Sequence, residues 1–177
     1  MPGGSGFHGE PIAHFLTFAG YGTRPHGDER GTVDRRHNTP GEPPLPRDDF
    51  RSALARRSLV SPPMVFNEPA RRAVEASFAD TCVHRGWQLL AVHCRTNHLH
   101  AVVSSREDAS LVMHRLKARA TAALRGAGLA GRNQQVWARH GSTRYLWREE
   151  DVAAACEYTM EAQGNPLPGT GEWRPYE

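Results

Sequence analysis

Apolar and polar residues alternate from Ile12 to Phe18, with Ile12, His14, Leu16 and Phe18 on one side and Ala13, Phe15 and Thr17 on the other. A two-residue period of this kind predicts a strand. From Gly20 to Pro63 the chain becomes polar and irregular, rich in Pro, Gly, Arg and Asp, with a short helix expected over Arg51–Leu59. Loops this long inside a small domain are functional or disordered. Helical periodicity begins after Asn67, a suitable N-cap, with Glu68 and Pro69 in the first turn and Val74, Phe78 and Val83 as the apolar face. Gly86 ends that helix. Trp87–Cys94 and Asn97–Ser104 read as two strands separated by Arg95-Thr96. A second long helix, Ala109–Arg125, turns Leu111, Val112, Leu116, Ala120 and Leu124 inward and stops at Gly126 and Gly128. Val136–Trp147 is expected to be extended around a Gly141-Ser142-Thr143 bend. A last helix, Glu150–Ala162, opens on acids and ends at Gly164-Asn165-Pro166.

This order of elements predicts an α+β fold, an antiparallel sheet with helices packed on it. Residues 1–9 are expected to be disordered, 10–164 to form one domain with 20–63 as a basic irregular insertion, and 165–177 to be a tail. The 177 residues suffice for a real core. No apolar run approaches the roughly 20 residues of a membrane span, and the N-terminus lacks a basic-then-apolar leader. Cys82, Cys94 and Cys156 are dispersed and odd in number, so neither a disulfide framework nor a zinc site is expected, which fits a reducing cytoplasm.

The net charge of +3 is mild, but Lys117 is the sole lysine and every other fixed cation is arginine. The guanidinium fork suits phosphate and stacks on bases, which favours a nucleic-acid partner. A GC-rich genome would write the same composition, so composition permits DNA binding without establishing it.

The segment Asn97-His98-Leu99-His100-Ala101-Val102-Val103 carries the most chemistry. In a strand His98, His100 and Val102 share one face, and Leu99, Ala101 and Val103 the other. The aliphatic set belongs against helices, which leaves two imidazoles side by side on an open face, roughly 6–7 Å apart at Cα. That spacing lets both bind one metal ion. Two histidines on a half-exposed strand with no ligand would give the same pattern.

The segment resembles the His-hydrophobic-His strand of the HUH nucleases, and more closely the single-tyrosine transposases of the insertion-sequence class and their REP-associated relatives. The similarity runs from about Ile12 to Gly164 through Thr17-Phe18, Tyr21-Gly22-Thr23, Leu116-Lys117, Val136-Trp137, Arg139-His140 and a last helix bearing Tyr158. It implies a ferredoxin- or RRM-like HUH core and transesterification of single-stranded DNA, with hairpins as the sites flanking the cut. It also implies Tyr158 as nucleophile and Mg²⁺ or Mn²⁺ held by His98 and His100. Among the four tyrosines, Tyr21 lies in a turn, Tyr176 in the tail and Tyr145 in an expected strand.

Relatives commonly place Gln or Asn four residues after the tyrosine as a third ligand, where this chain has Ala162. At 3.6 residues per turn Glu161 lies about 60° from Tyr158 and Gln163 about 140°. Geometry therefore favours Glu161, and side-chain chemistry favours Gln163. Arg115, Lys117, Arg119, Arg139, His140 and Arg144 are candidate phosphate contacts, and Trp137 and Trp147 candidate stacking platforms. His140 is also a candidate general acid or base, and His93 reads as structural. The alternative function is a domesticated, catalytically silent DNA-hairpin-binding module. An unrelated zinc protein would lack a third strong ligand. A cytoplasmic, nucleoid-associated location is expected, with monomer and homodimer both open.

Overall fold

The computed structural model describes residues 9–23, 49–139 and 141–161. Strands β1 (Ala13–Ala19), β2 (Gln88–Cys94), β3 (His98–Ser104) and β4 (Ser142–Leu146) form one antiparallel sheet in the order β2-β3-β1-β4. The helices are α1 (Asp49–Arg57), α2 (Glu68–Arg85), α3 (Ala109–Gly126) and α4 (Glu149–Met160). With α2 joining β1 to β2 and α3 joining β3 to β4, the topology is the ferredoxin-like split βαβ. The expected antiparallel α+β fold is the observed one. The tail, residues 1–8 and residues 24–48 of the insertion lie outside the described residues.

Strand alternation divides the sheet into two faces. Leu16 and Phe18 of β1, Val92 and Cys94 of β2, and Leu99, Ala101 and Val103 of β3 pack with α2 and α3 in the main core. Phe18 meets Phe78 of α2 edge-on at 5.2 Å, and Trp137 closes over Phe18 and Phe66. Ala13, Ala91, Val102 and Leu146 face the other way, against Val152, Ala155, Cys156 and Met160 of α4. The face expected to be open is thus partly covered by a helix.

Local signals set the helix ends. Asn67 Oδ1 accepts the Ala70 N–H at 3.0 Å, and Gly86 takes the left-handed conformation that closes α2. The buried row of α2 is Ala70, Val74, Phe78 and Cys82, an i, i+4 stripe that leaves Val83 exposed rather than in the core. On α3 Leu111 is likewise exposed, and Met113 takes the inward place beside Val112, Leu116, Ala120 and Leu124. The helix runs through Gly126, and Gly128 supplies the positive φ beyond its end. Extended structure over Val136–Trp147 is reduced to β4 plus an isolated Gly20–Trp137 bridge.

The β2–β3 turn, which delivers His98, is held from several sides. Gly20 N–H and Thr23 Oγ1 donate to the Asn97 carbonyl, and Phe66 N–H donates to that of Thr96. Glu75 Oε1 accepts the Cys94 N–H at 2.7 Å. Burial raises the Glu75 carboxyl above its ordinary value of 4.5, against the opposing pull of the Cys94 N–H and Arg71.

Two predictions concern this turn. A Cβ on Gly20 would stand 2.5 Å from the Met64 carbonyl oxygen. Gly20→Ala should therefore cost about 1–3 kcal/mol, read as a lower urea midpoint at unchanged slope; an unchanged midpoint would show that the Met64 segment yields freely. Because its folded pKa is raised, the stability Glu75 contributes is full below the ordinary carboxylate range and lost as pH rises through the folded value. Glu75→Gln keeps an acceptor for Cys94, so it should match or exceed wild-type stability at neutral pH and converge with it in acid. A clear loss at neutral pH would mean that attraction to Arg71 outweighs desolvation.

Candidate active site

The α4 face carries a row of polar side chains across the sheet. His93 of β2 pairs with His100 of β3, His100 with Thr17 of β1, and Thr17 with Ser142 of β4. Residues opposite one another in an antiparallel pair project to the same face. His98 stands one step along β3, paired with Ala19, its ring 5.2 Å from that of His100. Strand alternation alone brings the two imidazoles together.

Each ring has Nδ1 against an oxygen, Asn97 Oδ1 at 2.6 Å for His98 and Thr17 Oγ1 at 2.9 Å for His100. When that oxygen accepts from Nδ1–H, Nε2 keeps its lone pair and is the nitrogen offered to an ion. Phe15 stacks on His100 at 5.2 Å with planes 7° apart, which fixes the ring from its flat side. His100 is buried and His98 half-buried. This oriented pair fits two nitrogens of a divalent-metal shell.

Tyr158 comes to the pair from α4. Its ring lies 5.5 Å from that of His100 and 5.9 Å from that of Phe15, edge-on to both, and the residue is 47% exposed. The other described tyrosines are engaged elsewhere. Tyr21 Oη accepts the Val60 N–H, and Tyr145 Oη donates to Asp108 Oδ2 at 3.0 Å.

Among the described residues no group of three or more His, Cys, Asp or Glu converges. Glu161 is the C-cap residue of α4, right-handed in its backbone, with its N–H still bonded to the Glu157 carbonyl. Gln163 and His140 lie outside the described residues.

The candidate cations separate by layer. Arg144 pairs with Phe15 and so shares the face of His100 and Tyr158. Arg139 is exposed and follows Ala138, whose N–H binds the Ala19 carbonyl at the His98 end of the sheet. Lys117 is half-buried, with burial lowering its pKa, and its Nζ donates to the Ala138 carbonyl at 3.0 Å. It therefore ties down the segment that carries Arg139. Arg115, 3.4 Å from Glu107 Oε2, and exposed Arg119 stand on α3, in the layer opposite α4. Trp137 is a packing residue, donating from Nε1 to the Lys117 carbonyl and Thr121 Oγ1, whereas Trp147 lies at the surface beside Tyr145.

One residue of this face gave no functional signal in the sequence. His93 is buried, its pKa is lowered mainly by desolvation, and its Nδ1 lies 3.1 Å from the Thr159 carbonyl of α4. Only the sheet register and the position of α4 reveal that contact.

Comparison with known proteins adds the family. No curated protein matches the chain. A solved structure, of a REP-associated tyrosine transposase bound to a REP hairpin, is similar over 90% of this chain and 70% of its own, with a TM-score of 0.45 and 11% identity. Likeness at that level adds nothing to the assignment. The family described as "Transposase IS200 like" matches residues 63–154, which include His98 and His100 and stop short of Tyr158. That match spans more than half of the chain, and the protein belongs to the IS200-like transposase family.

Proposed function

We propose that this transposase-like protein cuts and rejoins single-stranded DNA through Tyr158, with His98 and His100 holding Mg²⁺ or Mn²⁺ beside it. The observation that carries the reading is the edge-on approach of the Tyr158 ring to His100, on a helix laid against the His-x-His face. Tyr158 Oη attacks the phosphorus of the scissile phosphodiester and the bond to O3′ breaks. The 3′ oxygen leaves as a hydroxyl once protonated, and the 5′ phosphate stays on the tyrosine. The phosphotyrosine ester conserves the bond, so a second 3′ hydroxyl can attack it and regenerate the phenol.

A bound divalent ion supplies Lewis-acid polarisation of a phosphate oxygen. The protein's own part is orientation: Asn97 and Thr17 set the two imidazoles, Phe15 holds His100 flat, and the exposure of Tyr158 admits a strand. Arg144 and Arg139 are candidate cations on the same face or end of the sheet, suited to backbone phosphates. His140 is our candidate acceptor for the phenol proton, and Gln163 for the missing ligand. A hairpin with a single-stranded flank is the substrate class we assign, acted on in the cytoplasm at the nucleoid. The incomplete shell among the described residues favours one second reading, a domesticated module that grips hairpins without cutting.

A labelled hairpin incubated with Mn²⁺ should give a denaturation-resistant conjugate on the 5′ side of the cut. Tyr158→Phe should abolish it and keep hairpin affinity; so should His98→Ala with His100→Ala, or chelation. Hairpin binding with no conjugate under any metal would make the binding module the better reading, and a conjugate that survives Tyr158→Phe would identify another nucleophile. A separate measurement addresses the cations: Arg144→Ala should flatten the dependence of log affinity on log salt by about one unit. An unchanged slope would remove Arg144 from the phosphate path.

A further inference from the structure

We infer that His93 is a positioning residue for Tyr158, acting as a side-chain cap that fixes where α4 ends. The helix stops at Met160, and the Thr159 carbonyl lies in its last turn. The imidazole of His93 meets it at 3.1 Å. A carbonyl can only accept, so Nδ1 carries the proton and donates. Nε2 has no hydrogen-bond partner among the described residues, as suits the nitrogen that holds only a lone pair.

The contact lies where it can govern the nucleophile. Thr159 is fully buried and adjoins Tyr158, while His93 is the cross-strand partner of His100. A single hydrogen bond therefore links the residue after the tyrosine to the strand beside the His-x-His pair. At the other end of α4 the side-chain contacts among the described residues are of a different kind. Arg148 at its N-cap makes no side-chain capping bond, and its ion pairs with Glu150 and Asp151 are exposed or half-exposed. The apolar contacts of Val152, Ala155, Cys156 and Met160 resist lifting of the helix but do not set its phase or its end. A directional bond does that.

The catalytic consequence rests on the reading of Tyr158 as nucleophile, whereas the cap itself does not, so the test has two readouts. His93→Leu removes the donor, and His93→Asn restores an N–H close to the place of Nδ1. In the free protein, His93→Leu should speed hydrogen exchange in the last turn of α4 about tenfold. Exchange in α2 and α3 should be unchanged, and His93→Asn should return α4 toward wild type. With labelled hairpin and Mn²⁺, His93→Leu should form the covalent conjugate about 10- to 100-fold more slowly at saturating DNA, with hairpin affinity retained and the rate largely rescued by Asn. Unchanged α4 exchange in His93→Leu overturns the cap. A conjugate rate equal to wild type, or slowed equally in His93→Asn, overturns the positioning role. If wild-type protein forms no conjugate while exchange still tracks the donor at position 93, the cap stands and the transesterification reading fails instead.

Discussion

Strand β3 is covered on both faces, and its side-chain alternation governs the rest of the molecule. Leu99, Ala101 and Val103 enter the α2–α3 core, while His98, His100 and Val102 turn toward α4. Because the period is two, a slip of one residue would drive both imidazoles into an aliphatic core and turn three apolar side chains out of it, toward α4. Burying those polar rings without partners would cost several kcal/mol, so the hydrophobic effect itself fixes the register. The same register sets Thr17 opposite His100 and Arg144 opposite Phe15. The chemistry-bearing face is thus specified mainly by what the opposite face must bury.

That dependence explains which features were legible in the sequence. Periodicity located β1, β2, β3, α2 and α3 because each alternates against a continuous core, and Asn67 and Gly86 marked the ends of α2 by cap chemistry. Periodicity did not say which of several apolar residues on a helix turns inward. Val83 and Leu111 looked like core and are exposed, because the stripe that contacts the sheet is narrower than the apolar sector of the sequence. The weakly patterned stretch before β4 was overread for a related reason: Val136 and Trp137 are held by tertiary contacts with Tyr21, Phe66 and Lys117, not by a strand partner along their length.

The site was legible to a different degree. The His-x-His spacing is local, so the sheet had only to be real for the rings to meet. Tyr158 is remote, and its approach to His100 depends on α4 crossing the second face, a long-range fact that neighbouring residues do not encode. The third ligand was the least legible part, because the chain has Ala162 where relatives carry an amide and Gln163 lies outside the described residues. Lys117, a candidate phosphate contact in the sequence, is half-buried and turns its ammonium to the Ala138 carbonyl, a tertiary contact that the sequence does not display.

The two helix layers differ in a way that bears on how such a site works. α2 and α3 sit over the extensive core of Phe18, Phe66, Phe78, Leu99, Leu116 and Leu124, whereas α4 rests on the small cluster around Ala13, Ala91, Val102 and Leu146. The helix that carries Tyr158 therefore seals a smaller apolar cluster, while lying against β2, β3 and β4. The imidazole pair stands on the sheet, with Asn97 and Thr17 as supports from the β2–β3 turn and β1. Apolar contact alone leaves a helix free to slide and turn, so any precision in Tyr158 must come from directional bonds near the end of α4.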